Sequence, residues 1–339
     1  MGKIEHESLE AADLRKRNHL DLAFDSQNAF TDQRFYYEPM LAGHPEQKDL
    51  SIQLGNKTLR YPIWISSMTG GTSAAGPINK QLAQTAKKYG FGMGLGSCRI
   101  ILEDNTYFDD FNLRPILGEE SPLYANVGIA QIERLIDSGQ TKKLKALVEK
   151  LDADGLIVHV NPLQEWLQPE GDLIKRSPLV TIKQLLNEID TNIIVKEVGQ
   201  GFGPESMKEL LKLPILAIDF AANGGTNFSK LELLRNEAIK AHYEGVVSLG
   251  HSANEMVDFL NAAILELGTY RKCTNVIISG GIKNFLDGYY LTSKANMPAI
   301  YGQAAPFLKH ANESQEALDT FAETQIKGLQ MAQTFLKLK

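Results

Sequence analysis

The chain reads as a closed (β/α)8 barrel preceded by an N-terminal extension. Three observations carry that class. Eight short apolar runs recur from residue 62 onward: PIWIS (62–66), FGMGL (91–95), LYANV (123–127), GLIVHV (155–160), NIIVKEV (192–198), ILAIDF (215–220), NVIIS (275–279) and PAIYG (298–302). Longer segments of helical period separate them, the order that parallel βα units require. The runs are almost continuously apolar, as strands buried on both faces should be. Eight such units favour closure over the alternative, a doubly wound open sheet. A chain of 339 residues, 43% hydrophobic, has room for one barrel of about 250 residues and an extension.

The elements follow in order. Residues 1–60 are rich in charge, aromatics and turn residues and predict a short helix, a loop and a hairpin from SIQL to KTLRYP. This stretch is expected to form an extension covering the site, with residues 61–339 as the barrel. In PINKQLAQTAKKYG, residues Ile78, Leu82, Ala86 and Tyr89 recur at helical steps. GPESMKELLKL places Pro204 just inside a helix start, where its missing N–H costs least. The stretch 245–272 opens on a strand-like run and is read mainly as helix with an excursion.

Bulk composition excludes several classes. A net charge of −6 argues against a broad nucleic-acid footprint but not against a local basic pocket for a small anion. Two cysteines, Cys98 and Cys273, are too few for a disulfide framework or a Cys-based zinc site. The start MGKIEHESLE has no apolar leader core, and no run approaches the roughly 18 apolar residues of a membrane span. The expected address is a reducing cytoplasm, without membrane or nucleic-acid partners.

In a barrel the chemistry sits at the carboxyl ends of the strands. Those ends read SMTGG (67–71), GSCR (96–99), NVG (126–128), HVNPLQE (159–165), KEVGQGFG (196–203), ANGGTN (222–227), SGGIKN (279–284) and GQAAPF (302–307). SGGIKN and GQAAPF stand on consecutive strands and leave backbone N–H groups unhindered, the pattern of a barrel phosphate site. GMGLG and GQGFG lack the spacing of a dinucleotide fingerprint. Lys196 lies in an apolar strand and needs a counter-charge: an acidic neighbour in the plain reading, an anionic ligand in the sharper one. Arg15, Lys16 and His19 form a basic run that is either a solvated helix face or a lid over an anion. His159 and Asn161, two apart on extended chain, face the same way toward the mouth.

These residues resemble a family. Arg15-Lys16 with His19, Ser67-Met68-Thr69-Gly70-Gly71, Gly96-Ser97 with Arg99, Asn126-Val127-Gly128 and His159-x-Asn161-x-x-Gln164-Glu165 match, in order, the type 2 isopentenyl-diphosphate isomerases. Lys196, Gly224-Gly225-Thr226 and Gly280-Gly281 continue the match, which spans about residues 12 to 310. The resemblance implies an FMN-bound barrel that interconverts isopentenyl and dimethylallyl diphosphate with reduced flavin, Mg2+, and NAD(P)H as reductant, in a homo-oligomer, a tetramer or octamer. Carried onto this chain, Ser67, Met68, Thr69, Ser97, Asn126, Lys196 and Thr226 would contact the flavin, with Gly280, Gly281, Ala304 and Ala305 along its phosphate. Arg15, Lys16, Ser97, Arg99, Asn161 and Gln164 would hold the diphosphate substrate, and Glu165 the Mg2+.

His159 and Gln164 would act with the flavin N5 in moving protons, because moving an unactivated double bond calls for an acid stronger than these side chains supply. Cys98 stands where the family commonly has Gln, which predicts a looser diphosphate grip beside Arg99. Lys283 replaces a frequent Arg, keeping charge but losing a bidentate fork. The rival enzyme reading is an FMN barrel oxidoreductase of the α-hydroxy-acid oxidase type. Those enzymes carry His and Arg where this chain reads SGGIKN.

Overall fold

A computed structural model describes residues 9–24, 31–45, 48–67 and 75–339. Met68 and Thr69 therefore lie outside the described residues. After the helix Leu9–Phe24 come three short strands, β1 (Phe35–Tyr37), β2 (Ile52–Leu54) and β3 (Lys57–Leu59). The barrel strands follow: β4 (Ile63–Ile65), β5 (Gly92–Gly94), β6 (Leu123–Gly128), β7 (Gly155–Val160), β8 (Asn192–Glu197), β9 (Ala217–Asp219), β10 (Asn275–Ser279) and β11 (Ala299–Gln303). Each pairs in parallel with the next, and β11 closes on β4. β12 (Leu336–Leu338) ends the chain. The eight apolar runs are the eight staves.

The stretch 245–272 resolves as a 3-10 turn, Glu244–Ser248, and the helix Ala253–Leu267, opened by a capping box between Ser252 and Glu255. Its strand-like start never pairs as a strand because it lies outside the barrel wall. Among the described residues no helix is long and apolar enough to cross a membrane. Both cysteines are free and buried.

The lumen shows why the strands carry the residues they do. Trp64, Tyr124, Ile157, Ile194, Ala217, Ile277 and Ile300 point inward from successive staves and pack with Leu54 and Leu59 of the β2–β3 hairpin. β5 is glycine-rich because of this layer: a Cβ on Gly92 would lie 2.4 Å from the Trp64 ring. The hairpin position corrects an expectation. It does not cover the site. Asn275, at the start of β10, donates to Gln53 O at 2.8 Å, and Gly55 faces Leu216 and Asn192 at the starts of β9 and β8. The hairpin therefore plugs the amino end of the barrel, because Leu54 and Leu59 find apolar surface there, while the carboxyl end is lined by polar groups.

Two further elements brace the shell. β1 pairs antiparallel with β12, joining the extension to the carboxyl end of the chain. Arg34 bonds Asp32 and reaches Asp287 at 2.7 Å, on the helix Phe285–Lys294 that follows SGGIKN.

Candidate functional site

At the carboxyl ends of the staves lies a cavity of about 760 Å³. Every barrel strand or the loop after it contributes: Ser66 and Ser67, Ser97 and Arg99, Asn126, His159, Lys196, Ala222 and Thr226, Ser279 and Gly280, and Gln303 with Ala304 all line it. Nearly all of the site residues that fall among the described residues thus meet in one place, including Asn161, Gln164, Glu165, Gly281 and Ala305. Arg15 and Lys16 do not line it; they are exposed on the helix Leu9–Phe24, as is His19.

One half of the cavity is built for an anion. β9 and β10 run into the loops 222–227 and 279–284, which approach backbone to backbone. Gly280 adopts φ +91°, and a Cβ there would sit 2.1 Å from Ala222 O, so glycine is needed both for conformation and for space. Beside this loop the helix Ala305–Glu313 begins without a side-chain cap, its first turn facing the cavity at Ala304, Ala305 and Pro306. Unclaimed N–H groups at a helix start beside two open glycines suit a phosphate. The neighbouring helix Phe285–Lys294, by contrast, is capped by Asn284.

The central part is a hydrogen-bonded strip across β6, β7, β8 and β9. Asn126 Nδ2 donates to Leu95 O, which leaves its Oδ1 to accept from His159 Nδ1 at 2.8 Å. This assigns the proton to Nδ1 and turns the Nε2 lone pair free of it. Burial and the charge of Lys196 pull the imidazole down to about 4, so it is neutral at pH 7. Next across the ladder, Lys196 donates to Glu197 O at 3.1 Å and lies 3.8 Å from Asp219 Oδ2. The plain reading of Lys196, an acidic neighbour, is therefore correct, and it still lines the cavity.

The third part stands on the short helix Pro162–Leu167, started by Pro162 as β7 ends. Asn161 Nδ2 donates to Glu165 Oε1 at 2.9 Å and to Gln164 Oε1 at 3.2 Å. Gln164 Nε2 in turn donates to the buried Glu232 at 3.0 Å, which fixes the amide's orientation. Glu165 Oε2 accepts from Asp172 N at 2.7 Å. Asp172 is a hub: its carboxylate takes Gln131 at 3.0 Å, pairs with Arg134 and lies 3.5 Å from Arg99. Among the described residues no group of three or more His, Cys, Asp or Glu side chains could hold a metal ion alone. A cation at Glu165 would complete its shell with ligand oxygens and water.

Cys98 takes no part in lining the cavity. It is fully buried, its Sγ lies 3.4 Å from Gly96 O, and burial pushes the thiol up to about 12. The side chain packs in the core, while its neighbours Ser97 and Arg99 line the cavity. Sequence reasoning missed Asp219, Asp172, Glu232, Ser66 and Gln303, each brought in by long-range folding. Ser66, Gln303 and Asp219 share a structural sign, unmet polarity. Asp219 Oδ2 lies behind Lys196, whereas Ser66 Oγ, Ser67 Oγ, Asn161 Oδ1 and Gln303 Oε1 belong to residues that line the cavity and are buried without a hydrogen-bond partner. Buried polar atoms are normally satisfied, so such a ring around one cavity indicates a polar ligand.

No family profile matches the chain. Among solved structures it is similar to a double variant of flavocytochrome b2 with sulfite bound, at 14% identity, TM-score 0.61, covering 89% of this chain and 72% of that one. It is also similar to a mandelate oxidase variant with an FMN adduct, at 12% identity, TM-score 0.53, covering 96% and 99%. At that identity the likeness speaks for the barrel alone. Curated relatives say more. The isopentenyl-diphosphate delta-isomerase of Rickettsia felis is 33% identical over 330 residues, covering 94% of this chain and 90% of the relative. That of Rickettsia bellii is 32% identical over the same length, covering 94% and 91%. Identity at that level runs the length of the barrel that builds this cavity, and the chain belongs to the isopentenyl-diphosphate delta-isomerase family.

Proposed function

We propose that the protein interconverts isopentenyl and dimethylallyl diphosphate, with reduced FMN and Mg2+ in the cavity and NAD(P)H as the reductant. The observation that carries the reading is the division of one cavity into three parts. The Gly280–Gly281 loop and the uncapped start of Ala305–Glu313 fit the FMN phosphate. The ring of buried, unpartnered oxygens at Ser66, Ser67 and Gln303 fits the polar edge of a flavin held across the mouth. Arg99, Gln164 and Glu165 stand together for a diphosphate and its cation.

When bound, the reduced flavin supplies the acid–base chemistry at N5 that an unactivated alkene requires. The remaining work falls to the chain. His159, neutral and with Nδ1 committed to Asn126, offers Nε2 as an acceptor and does not serve as a strong acid at pH 7. Gln164 does not titrate, and its amide is held by Asn161 and Glu232 as an orienting dipole. Glu165 would hold Mg2+ through its carboxylate, and the ion would neutralise charge on the diphosphate. Arg99 gives a charge-assisted donor to the diphosphate. Arg15 and Lys16 belong to the same anion-binding set in the family pattern and would close from the N-terminal helix. The oxidase alternative has no support in the loop after β10, where Lys283 is the titratable side chain between Ser279 and Asn284.

The test is direct. The protein, incubated anaerobically with FMN, NADPH, Mg2+ and isopentenyl diphosphate in D2O, should give deuterated dimethylallyl diphosphate. Product absent, with flavin bound and reduced, overturns the reading.

A further inference from the structure

Asp219 stands out physically. Its carboxylate has no exposed surface, at the end of β9 beneath the cavity. Isolated burial of such a charge is costly, and a buried ion pair is often no more stable than an apolar pair of the same size. A barrel under selection for stability alone would fill this layer with another isoleucine. The surrounding geometry shows what the charge serves. Ser279 Oγ, from β10, donates to Asp219 Oδ1, so that oxygen is taken. Oδ2 has no hydrogen bond and faces Lys196 Nζ at 3.8 Å, beyond hydrogen-bonding distance. Lys196 is the cross-strand neighbour of Asp219 on β8 and of His159 on β7, and His159 is neutral. Of the three N–H bonds on Nζ, one goes to Glu197 O.

We propose that Asp219 is the positioning residue for Lys196: it holds the ammonium at the cavity floor by charge alone, so that protons on Nζ stay available to an anionic ligand. Ser279 completes the device by holding the carboxylate in place. Burial pushes the Asp219 carboxyl up while Lys196 opposes that shift, as a mutually dependent pair should. The inference rests on the flavin reading, in which Lys196 faces the ring that becomes anionic on reduction. Asp219 does not itself touch that ring.

The experiment uses the FMN-loaded protein and four variants: Lys196→Ala, Asp219→Asn, the double variant and Ser279→Ala. Asp219→Asn should weaken FMN binding about tenfold. It should also lower the midpoint potential of the bound flavin toward the value in Lys196→Ala, since an ammonium no longer held at the cavity floor no longer faces the ring. The double variant should match Lys196→Ala in both readouts, because the two residues act as one unit. In the flavin-free protein, Lys196→Ala strands a buried carboxylate and should unfold at lower denaturant than the double variant. Should Asp219→Asn fail to fold, Ser279→Ala should show a smaller fall in potential in the same direction. A potential that is unchanged or raised in Asp219→Asn, or losses that add in the double variant, overturns the proposal. A wild-type protein that takes up no FMN overturns the flavin reading instead, and the unfolding order of the flavin-free variants then decides the ion pair.

Discussion

Glu165 has two attachments that can be separated by one substitution. It accepts from Asn161 and from the Asp172 N–H, so it fixes the loop leading to Asp172 as well as facing the cavity. Glu165→Gln keeps the size and one acceptor but loses the charge. The expected result is a rise of about tenfold in the Mg2+ needed for half-maximal activity, lower turnover and unchanged FMN content. An Mg2+ titration of initial rates checks it; an identical dependence would take Glu165 out of the cation's shell. Residues like this one were legible because His159, Asn161, Gln164 and Glu165 stand within seven positions at one strand end. Their partners were not. Asp172, Glu232 and Asp219 are ordinary acids in sequence, and they gain meaning only when helices and neighbouring strands bring Arg99, Gln164 and Lys196 against them.

At the scale of elements, the two ends of the barrel carry separate properties, and one substitution at each should show it. Gly280→Ala would place a methyl 2.1 Å from Ala222 O at a φ that L-residues rarely adopt. The loops after β9 and β10 must then part, so FMN retention on a desalting column should fall by at least about tenfold, with a loss of stability of about 1–3 kcal/mol. Leu59→Ala acts at the other end. Leu59 is fully buried in the hairpin plug. Its truncation should cost about 2–5 kcal/mol in urea unfolding while FMN affinity stays the same. A parallel fall in FMN affinity would mean that the plug also shapes the mouth. The staves themselves were readable because buried parallel strands are unbroken apolar runs. The β1–β12 pair was not: three residues a side, Phe35–Tyr37 against Leu336–Leu338, far apart in sequence, leave no period to detect.

For the molecule as a whole, the strip of polar groups under the cavity ties function to stability through pH. His159 is folded into a state that refuses a proton, at about 4 against an ordinary value of 6.5, because of burial and then of Lys196. Between those two values the unfolded chain binds a proton that the folded one excludes. Stability therefore rises with pH across the window and is complete above about 6.5. Asp32, held below the usual carboxylate range by its bonds from Arg34, adds a loss only at lower pH. Glu197, raised by burial, slopes the other way, since its folded form resists ionising. The wild-type curve is thus a sum, and the difference from a His159→Gln variant isolates the imidazole. Urea midpoints taken from pH 4 to 7.5 should climb more steeply for the wild type than for His159→Gln, and the two should run parallel above pH 6.5. Equal slopes throughout would mean that folding leaves the proton affinity of His159 unchanged. A slope shallower than that of His159→Gln would mean that the folded protein holds the imidazole protonated, with a hydrogen on Nε2 facing the substrate as a donor. A stability measurement made without substrate or flavin therefore decides which proton inventory the cavity has at neutral pH.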